Sequence, residues 1–301
     1  MHDIVIIGAG PAGLTAAIYA RRAGKSVLVL EAKSFGGQII NTPEIENYPA
    51  APHISGFDFA SNIYSQATEL GAEVRFEKAV EIITDGEKKT VRTVKNEYGC
   101  RAVIIASGSE NRKLGLEGED ALLGRGVSYC ATCDGNFFRG KRVIVVGGGN
   151  TALEDALYLS DLCETVFLVH RRDSFRGEEA TAARLKTREN VVFKLEAKVT
   201  KLLYSERLEG AEITRNSGET ETLAASGLFV AVGRVPESRN FAPLLDLDDS
   251  GYAAAGEDCR TKTPGVFVAG DARAKALRQL VTAVSDGASA ATNAAEYLNN
   301  L

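Results

Sequence analysis

Asp3-Ile4-Val5-Ile6-Ile7-Gly8-Ala9-Gly10-Pro11-Ala12-Gly13 carries an uninterrupted apolar run straight into G-x-G-x-x-G. Such a run, bounded by glycine, reads as a strand buried on both faces, the kind found in parallel sheets. An Ala-rich stretch from Leu14 to Ala23 has helical character and Gly24 ends it; a second apolar strand, Val27 to Leu30, closes on Glu31. In this context the glycines have separate jobs. Gly8 allows the tight turn, Gly10 lets the backbone approach a pyrophosphate, and Gly13 permits close helix–strand packing. The helix start, where Ala12 and Gly13 follow Pro11, offers unpaired N–H groups and a positive dipole end to phosphates. Glu31, 23 residues after Gly8, stands where a carboxylate accepts hydrogen bonds from ribose hydroxyls and repels a 2′-phosphate.

The unit recurs downstream. Strand Arg142 to Val146 runs into Gly147-Gly148-Gly149-Asn150-Thr151-Ala152, a helical stretch reaches about Ser160, and a strand follows from Thr165 to Val169. Gly147 stands 139 residues after Gly8, far enough for each copy to be its own βαβ-based domain. Val103-Ile104-Ile105-Ala106-Ser107-Gly108 and Leu228-Phe229-Val230-Ala231-Val232-Gly233 are buried-strand runs ending in glycine, one closing each copy. A third run, Val266-Phe267-Val268-Ala269-Gly270-Asp271, has no counterpart in the second copy, so the C-terminal segment is expected to return to the first domain. The pattern predicts an α/β, three-layer protein with two Rossmann-like dinucleotide-binding domains, the first discontinuous and the second inserted into it. The expected limits are 1–112 and 241–301 for the first domain and 113–240 for the second. Alternating segments between Lys78 and Tyr98, and between Lys198 and Thr222, read as hairpin strands turning at Asp85-Gly86 and Ser217-Gly218.

The two nucleotide sites differ at the ribose edge. Counting the same 23 residues from Gly147 reaches His170, followed by Arg171, Arg172 and, a turn later, Arg176. Arg forks pair bidentately with phosphate oxygens. The second site, with Gly147, Gly149 and Ala152 in the three motif roles, is therefore expected to prefer NADPH over NADH. A solvated basic loop is the bland alternative, and the position at the ribose edge argues against it. Near the C-terminus, Ala269-Gly270-Asp271 ends a strand, where Asp271 can accept from a ribityl chain and Gly270 leaves room. Arg278-Gln279-Leu280 then opens a small-residue helix whose start suits the N1–C2 carbonyl edge of a flavin. Taken alone the Ala269–Asp271 run reads equally as a strand-end turn; beside the first motif it points to FAD.

Cys130-Ala131-Thr132-Cys133 is open to three readings: half a zinc site, a redox disulfide or a chance pair. Zinc needs four ligands, yet no second C-x-x-C exists and the histidines at 2, 53 and 170 lie far off or in another role, so no metal is expected. The pair precedes the second nucleotide fold, and the ring of a C-x-x-C closes reversibly, which favours the redox reading. Asp134 follows at once; it either relays a proton to a leaving thiolate or only starts the Asp134-Gly135 turn. Cys100, Cys163 and Cys259 read as small buried side chains.

Composition sets outer limits. A chain of 301 residues is long for one core, which suits two domains. Net charge is −5 with both signs interspersed, so neither nucleic acid nor a bilayer surface is an expected partner. No apolar run approaches the ~20 residues needed to cross a membrane. Met1-His2-Asp3 leads directly into the first strand, so no secretory signal is expected. Five cysteines, only two of them close together, make a poor disulfide framework and fit a cytoplasmic protein.

Together, Gly8 to Gly13, Gly36-Gly37-Gln38, Glu46-Asn47-Tyr48-Pro49, Cys130 to Gly135, Gly147 to Ala152, His170-Arg171-Arg172-Asp173 with Phe175-Arg176, Gly265 to Asp271 and Arg278-Gln279 resemble the low-molecular-weight bacterial thioredoxin reductases. The resemblance covers essentially the whole chain. It implies FAD in the discontinuous domain, NADPH and the cysteines in the inserted one, a homodimer, and thioredoxin as partner. It implies that Cys133 faces the flavin, that Cys130 attacks thioredoxin's disulfide with Asp134 as the acid, and that the inserted domain rotates about crossings near Arg112 and Asn240. It also assigns cofactor contacts to Gly37, Gln38, Asn47, Val80, Ala106, Gly108, Asn150, Thr151 and Gly233. Ser107 replaces the family's usual Thr, and Glu237-Ser238 its usual Asn-Thr. Relatives lacking the basic cluster take electrons from ferredoxin; here the cluster is intact. The alternatives are a same-fold reductase serving a peroxiredoxin or glutaredoxin-like partner, a ferredoxin-linked variant, and a nucleotide-sensing protein without turnover, against which the cysteine pair argues.

Overall fold

The computed structural model describes residues 1–42, 44, 45, 47–51 and 53–301; Glu46, part of one motif quoted above, lies outside them. The chain divides into two compact units, a terminal one of Met1–Glu110 with Val235–Leu301 and an inserted one of Asn111–Arg234. Each is α/β around parallel strands, with an antiparallel hairpin added to the terminal unit's sheet, the Rossmann-type arrangement expected from the repeat.

In the terminal unit, among the described residues, His2–Ile7 lies inside a seven-stranded sheet. Val27–Leu30 pairs parallel on one side with Glu73–Arg75 beyond it, and Glu97–Ile105 pairs parallel on the other. Glu97–Ile105 is long enough to serve two partners. Its first half carries the antiparallel hairpin of Ala79–Asp85 and Lys88–Thr93, while Val103 to Ile105 pair parallel with Val266–Val268. The C-terminal run therefore completes the sheet that the N-terminus begins.

Period-two alternation sorts the first strand between two cores. Ile4 and Ile6 face a cluster that includes Leu14, Ala16, Ala290 and Ala294, from the helices Pro11–Arg22 and Leu280–Asn299. Val5 and Ile7 face the opposite cluster with Leu28, Leu30, Phe241 and Leu245. Ile4, Val5 and Ile6 are 0% exposed, and burial of each contributes about 1.5–3 kcal/mol. The two helices approach closely because small residues meet: a Cβ on Gly287 would lie 2.2 Å from the Ala12 carbonyl oxygen.

The inserted unit has a five-stranded parallel sheet in the order Val191–Lys194, Thr165–Val169, Arg142–Val146, Gly227–Val230, Val127–Ser128. Helices Asn150–Ser160 and Glu179–Lys186 share one core with it, and the antiparallel sheet Ala197–Tyr204, Leu208–Arg215, Thr220–Ala224 shares the other. The predicted turns hold: Gly86 and Gly218 have φ of +57° and +89°, the left-handed region that tight turns demand.

Candidate functional site

The two glycine turns are built alike. Gly8 donates its N–H to Leu30 at 2.8 Å, Ala106 donates to Ile7 at 2.8 Å, and a Cβ on Gly8 would lie 2.3 Å from the Ala106 oxygen. Gly147 donates to Val169 at 3.1 Å, Ala231 donates to Val146 at 2.8 Å, and a Cβ on Gly147 would lie 2.3 Å from the Ala231 oxygen. With φ of +108° and +154°, both turns close only because the residue is glycine.

Around the first turn the chain forms a cradle. Gly36 donates to the Ala9 carbonyl at 2.7 Å, and a Cβ on Gly10 would meet only Gly37, at 3.8 Å, so open space lies beside Gly10. Glu31 is fixed at the strand end by Ala9 N–H at 2.7 Å and Lys33 N–H at 2.8 Å. It lines a cleft of about 330 Å³ with Gly8, Lys78, Ala79, Ser107 and Glu237. Val80 follows Ala79 half-buried, and the Gly108 carbonyl accepts from Glu237 N–H at 3.1 Å. Gln38 bonds the Ser109 carbonyl.

The C-terminal residues join the same unit. A Cβ on Gly270 would lie 2.8 Å from the Ala12 Cβ, which puts the Gly270–Asp271 turn against the start of helix Pro11–Arg22. Asn47 donates to Gln279 at 3.2 Å, and Gln279 caps helix Leu280–Asn299 in a reciprocal pair with Thr282. The Arg278 guanidinium lies 3.8 Å from the Tyr252 ring centre. Ser107 Oγ and Arg278 Nε are buried without a hydrogen-bond partner, a costly state that a bound polar group relieves. An open glycine turn at a helix start, a fixed carboxylate at the next strand end and these two orphaned atoms fit a flavin dinucleotide.

At the second turn the basic residues divide by burial. Arg171, Arg172 and Arg176 are exposed. His170 is 5% exposed, hydrogen-bonded to the Ser174 carbonyl at 3.1 Å and stacked on Phe175 at 5.5 Å between centroids. A Cβ on Gly148 would lie 2.3 Å from the His170 ring, so the imidazole fills the space beneath the glycine turn. Burial lowers its pKa and prevails over the Ser174 hydrogen bond, which works to raise it; the nearby arginines push the same way as burial. His170 is thus a neutral prop under the turn, and the positive charge at this edge comes from the three arginines. Arg176 and Gly177 donate to the Gly148 carbonyl at 2.7 and 3.2 Å, and Asn150 Oδ1 accepts Glu178 N–H at 2.7 Å. These bonds tie the arginine loop to the second glycine turn. Gly149 and Thr151 lie at the opening of helix Asn150–Ser160 with buried Ala152 behind them, and Gly233 accepts Arg112 N–H at 2.9 Å.

Cys130 and Cys133 form a disulfide, Cα–Cα 5.3 Å, across the short helix Ala131–Asp134. Asp134 N–H donates to the Cys130 carbonyl at 3.1 Å, and its carboxylate accepts from Ser128 Oγ at 2.6 Å. Cys100, Cys163 and Cys259 are free and buried, and burial raises their thiols to about 12, 11 and 12. Those sulfurs are poor nucleophiles at neutral pH, so the reactive sulfur chemistry belongs to the pair. Among the described residues no group of three or more His, Cys, Asp or Glu is placed to hold a metal ion.

Two groups of residues escaped the sequence reading. Asp286, 6% exposed, accepts from Gly270 N–H at 3.0 Å, from Arg273 Nε at 3.0 Å and Nη2 at 2.8 Å, and from Lys275 Nζ at 2.6 Å. Its carboxylate therefore anchors the Gly270–Asp271 turn. Burial opposes its ionisation, yet the Arg273 and Lys275 bonds prevail and hold its pKa below the ordinary value. Its signal was that it is the lone charge in the small-residue stretch from Leu280 to Ala295. Ser128 is the second omission: nothing in its sequence setting marks it, because its partner Asp134 meets it only once strand and helix are folded.

Comparison with known proteins adds a family. A family model described as pyridine nucleotide-disulphide oxidoreductase matches residues 2–287. The chain is 43% identical to a thioredoxin reductase of Listeria monocytogenes, over 100% of this chain and 95% of that one. It is 41% identical to a thioredoxin reductase of Bacillus subtilis, over 100% and 96%. The crystal structure of the Streptococcus pyogenes thioredoxin reductase superposes with a TM-score of 0.94 at 39% identity, covering 100% of this chain and 99% of that one.

Proposed function

The chain belongs to the pyridine nucleotide-disulphide oxidoreductase family and, within it, to the thioredoxin reductases; from that footing we propose that it carries electrons from NADPH, through FAD and the Cys130–Cys133 disulfide, to thioredoxin. As a member it is a disulfide oxidoreductase that uses a flavin and a nicotinamide cofactor. The observation that carries the reading is the closed Cys130–Cys133 disulfide, with Asp134 beside it, in a chain that has two dinucleotide turns of one design.

Gly8, Gly10, Pro11, Ala12, Gly13, Glu31, Gly37, Gln38, Asn47, Val80, Ala106, Gly108, Gly270, Asp271, Arg278, Gln279 and Leu280 would hold FAD, all within the terminal unit. Gly147, Gly149, Asn150, Thr151, Ala152, Arg171, Arg172, Arg176 and Gly233 would hold NADPH, with His170 supporting the turn from below. A flavin and a nicotinamide held there would together supply the two electrons that open the Cys130–Cys133 disulfide. Once the disulfide is open, the Cys130 thiolate attacks one sulfur of the thioredoxin disulfide and the leaving sulfur takes a proton from Asp134. The Cys133 thiol then ionises, its proton returning to Asp134, and the thiolate attacks Cys130 Sγ. The Cys130–Cys133 bond re-forms and the second thioredoxin sulfur leaves, protonated from solvent. Preference for NADPH rests on the arginines at the second ribose edge, which suit a 2′-phosphate. The reading carries with it a homodimer in the cytoplasm; among the described residues no helix is long and apolar enough to cross a membrane.

The direct test is Cys133→Ser. It is expected to keep flavin and NADPH binding and to lose thioredoxin reduction by at least ~10³-fold, since the ring can no longer close. Full thioredoxin turnover in that variant would refute the assignment.

A further inference from the structure

We propose that Ser128 is a positioning residue for the thiol–disulfide exchange, its hydroxyl holding Asp134 in both protonation states while fixing the backbone of Cys130. The proposal rests on Asp134 acting as the acid, as set out above.

Ser128 ends the two-residue strand Val127–Ser128, which the sheet registers against Leu228 and Phe229, so its Cα cannot drift. The residue is 4% exposed, so solvent has little access to its oxygen. Three protein groups surround that oxygen. Cys130 N–H donates to it at 3.0 Å, Asp134 Oδ2 lies 2.6 Å away, and the Cys130 carbonyl oxygen lies 3.3 Å away. A hydroxyl has one proton to donate and two lone pairs to accept with, and this arrangement uses each of them across the cycle. When Asp134 is ionised, Ser128 donates to Oδ2 and accepts from Cys130 N–H. When Asp134 is protonated, the acid donates to Ser128, whose proton swings to the Cys130 carbonyl while the Cys130 N–H bond persists. Neither state strands a buried donor, so the carboxyl gains and loses its proton without moving. A hydrophobic replacement holds the strand equally well and does neither of these things.

The arrangement locks together the attacking cysteine and the acid through a single atom. Its contribution belongs to the steps after the disulfide has opened, when sulfur leaves and takes a proton. It has no part in NADPH oxidation, which gives the test its shape.

Five enzymes loaded with FAD are compared: wild type, Ser128→Ala, Ser128→Thr, Asp134→Asn and the Ser128→Ala/Asp134→Asn double variant. Stopped-flow mixing with NADPH follows flavin reduction, and single-turnover mixing of the pre-reduced enzyme with oxidised thioredoxin follows exchange. Ser128→Ala is expected to reduce its flavin at the wild-type rate and to slow exchange about tenfold at saturating thioredoxin, the size of one hydrogen bond to a carboxylate. The KM for thioredoxin should not change. In the Asp134→Asn background, which is itself expected to slow exchange ~10²-fold or more, the Ser128→Ala change should add almost nothing. Ser128→Thr keeps the hydroxyl and is expected within twofold of wild type. An unchanged exchange rate in Ser128→Ala beside a slowed Asp134→Asn overturns the proposal, as does a tenfold loss that persists undiminished in the double variant. If Asp134→Asn is itself as fast as wild type, the assignment of the acid fails, a result distinct from failure of Ser128 alone.

Discussion

Replacing Asp286 by Ala removes the one anion from a buried cluster of three charges. The side chains of Arg273, Lys275 and Asp286 are 13%, 7% and 7% exposed, so water cannot take over the lost partnership. Truncation leaves two cations facing each other without a counter-charge and deprives Gly270 N–H of its acceptor. Breaking a buried pair by deleting one partner costs about 3–5 kcal/mol, mostly as the desolvation of the charge left behind. For a unit of this size each kcal/mol moves the thermal midpoint by about 2–4 °C, so a fall of about 6–20 °C is expected. The internal control is Glu110→Ala, which breaks an ion pair with Lys33 whose side chains are 52% and 72% exposed. Surface pairs contribute at most about 1 kcal/mol, so this change should stay within about 4 °C. Both variants are measured by circular dichroism without cofactor, and FAD affinity is then titrated by flavin fluorescence. Because Asp286 anchors the Gly270–Asp271 turn, its loss should weaken FAD binding as well. A midpoint for Asp286→Ala no lower than that of Glu110→Ala would refute the account of the cluster. A lowered midpoint with undiminished FAD affinity would refute the anchoring of the turn.

Changing Arg171 and Arg172 together to Ala should reduce the preference for NADPH over NADH by about 100-fold or more, since each charge-assisted bond to phosphate is worth roughly 1.5–3 kcal/mol; the ratio of kcat/KM values with the two nucleotides checks it, and an unchanged ratio counts against a phosphate clamp. The protein should also lose stability in acid through Asp3. Burial works to raise this carboxyl, but hydrogen bonds from Arg101 and Ser26 bring it from 3.8 down to about 2. Since the folded value lies below the unfolded one, this contribution is complete above about pH 4 and disappears as pH falls through 2. Urea midpoints measured from pH 5 to pH 2 should fall less steeply in Asp3→Asn than in wild type, and parallel curves would show that Asp3 is not responsible.

The sequence determined more of this protein than is usual because its pattern is duplicated. Two strand–glycine–helix units in register named the two sheets, and the unmatched run Val266–Asp271 already implied that the C-terminus returns to the first of them. The acidic Glu31 against the basic Arg171 and Arg172 was likewise visible by counting residues, since position along a βαβ unit fixes which side chain stands at the strand end beside the glycine turn. Local geometry carried those inferences: a glycine turn needs its positive φ wherever it is used.

What only the tertiary structure decided concerns burial and partners distant along the chain. In the sequence His170 simply heads the basic run, but packing beneath Gly148 and against Phe175 makes it a neutral prop. Asp286 looked like a stray charge in a small-residue helix until Arg273, Lys275 and Gly270 closed around it. Ser128 had no mark at all. Charge state and hydrogen bonding depend on which groups are shut away from water together, and that is settled by the packing of elements far apart in the chain, which no spacing within one motif encodes.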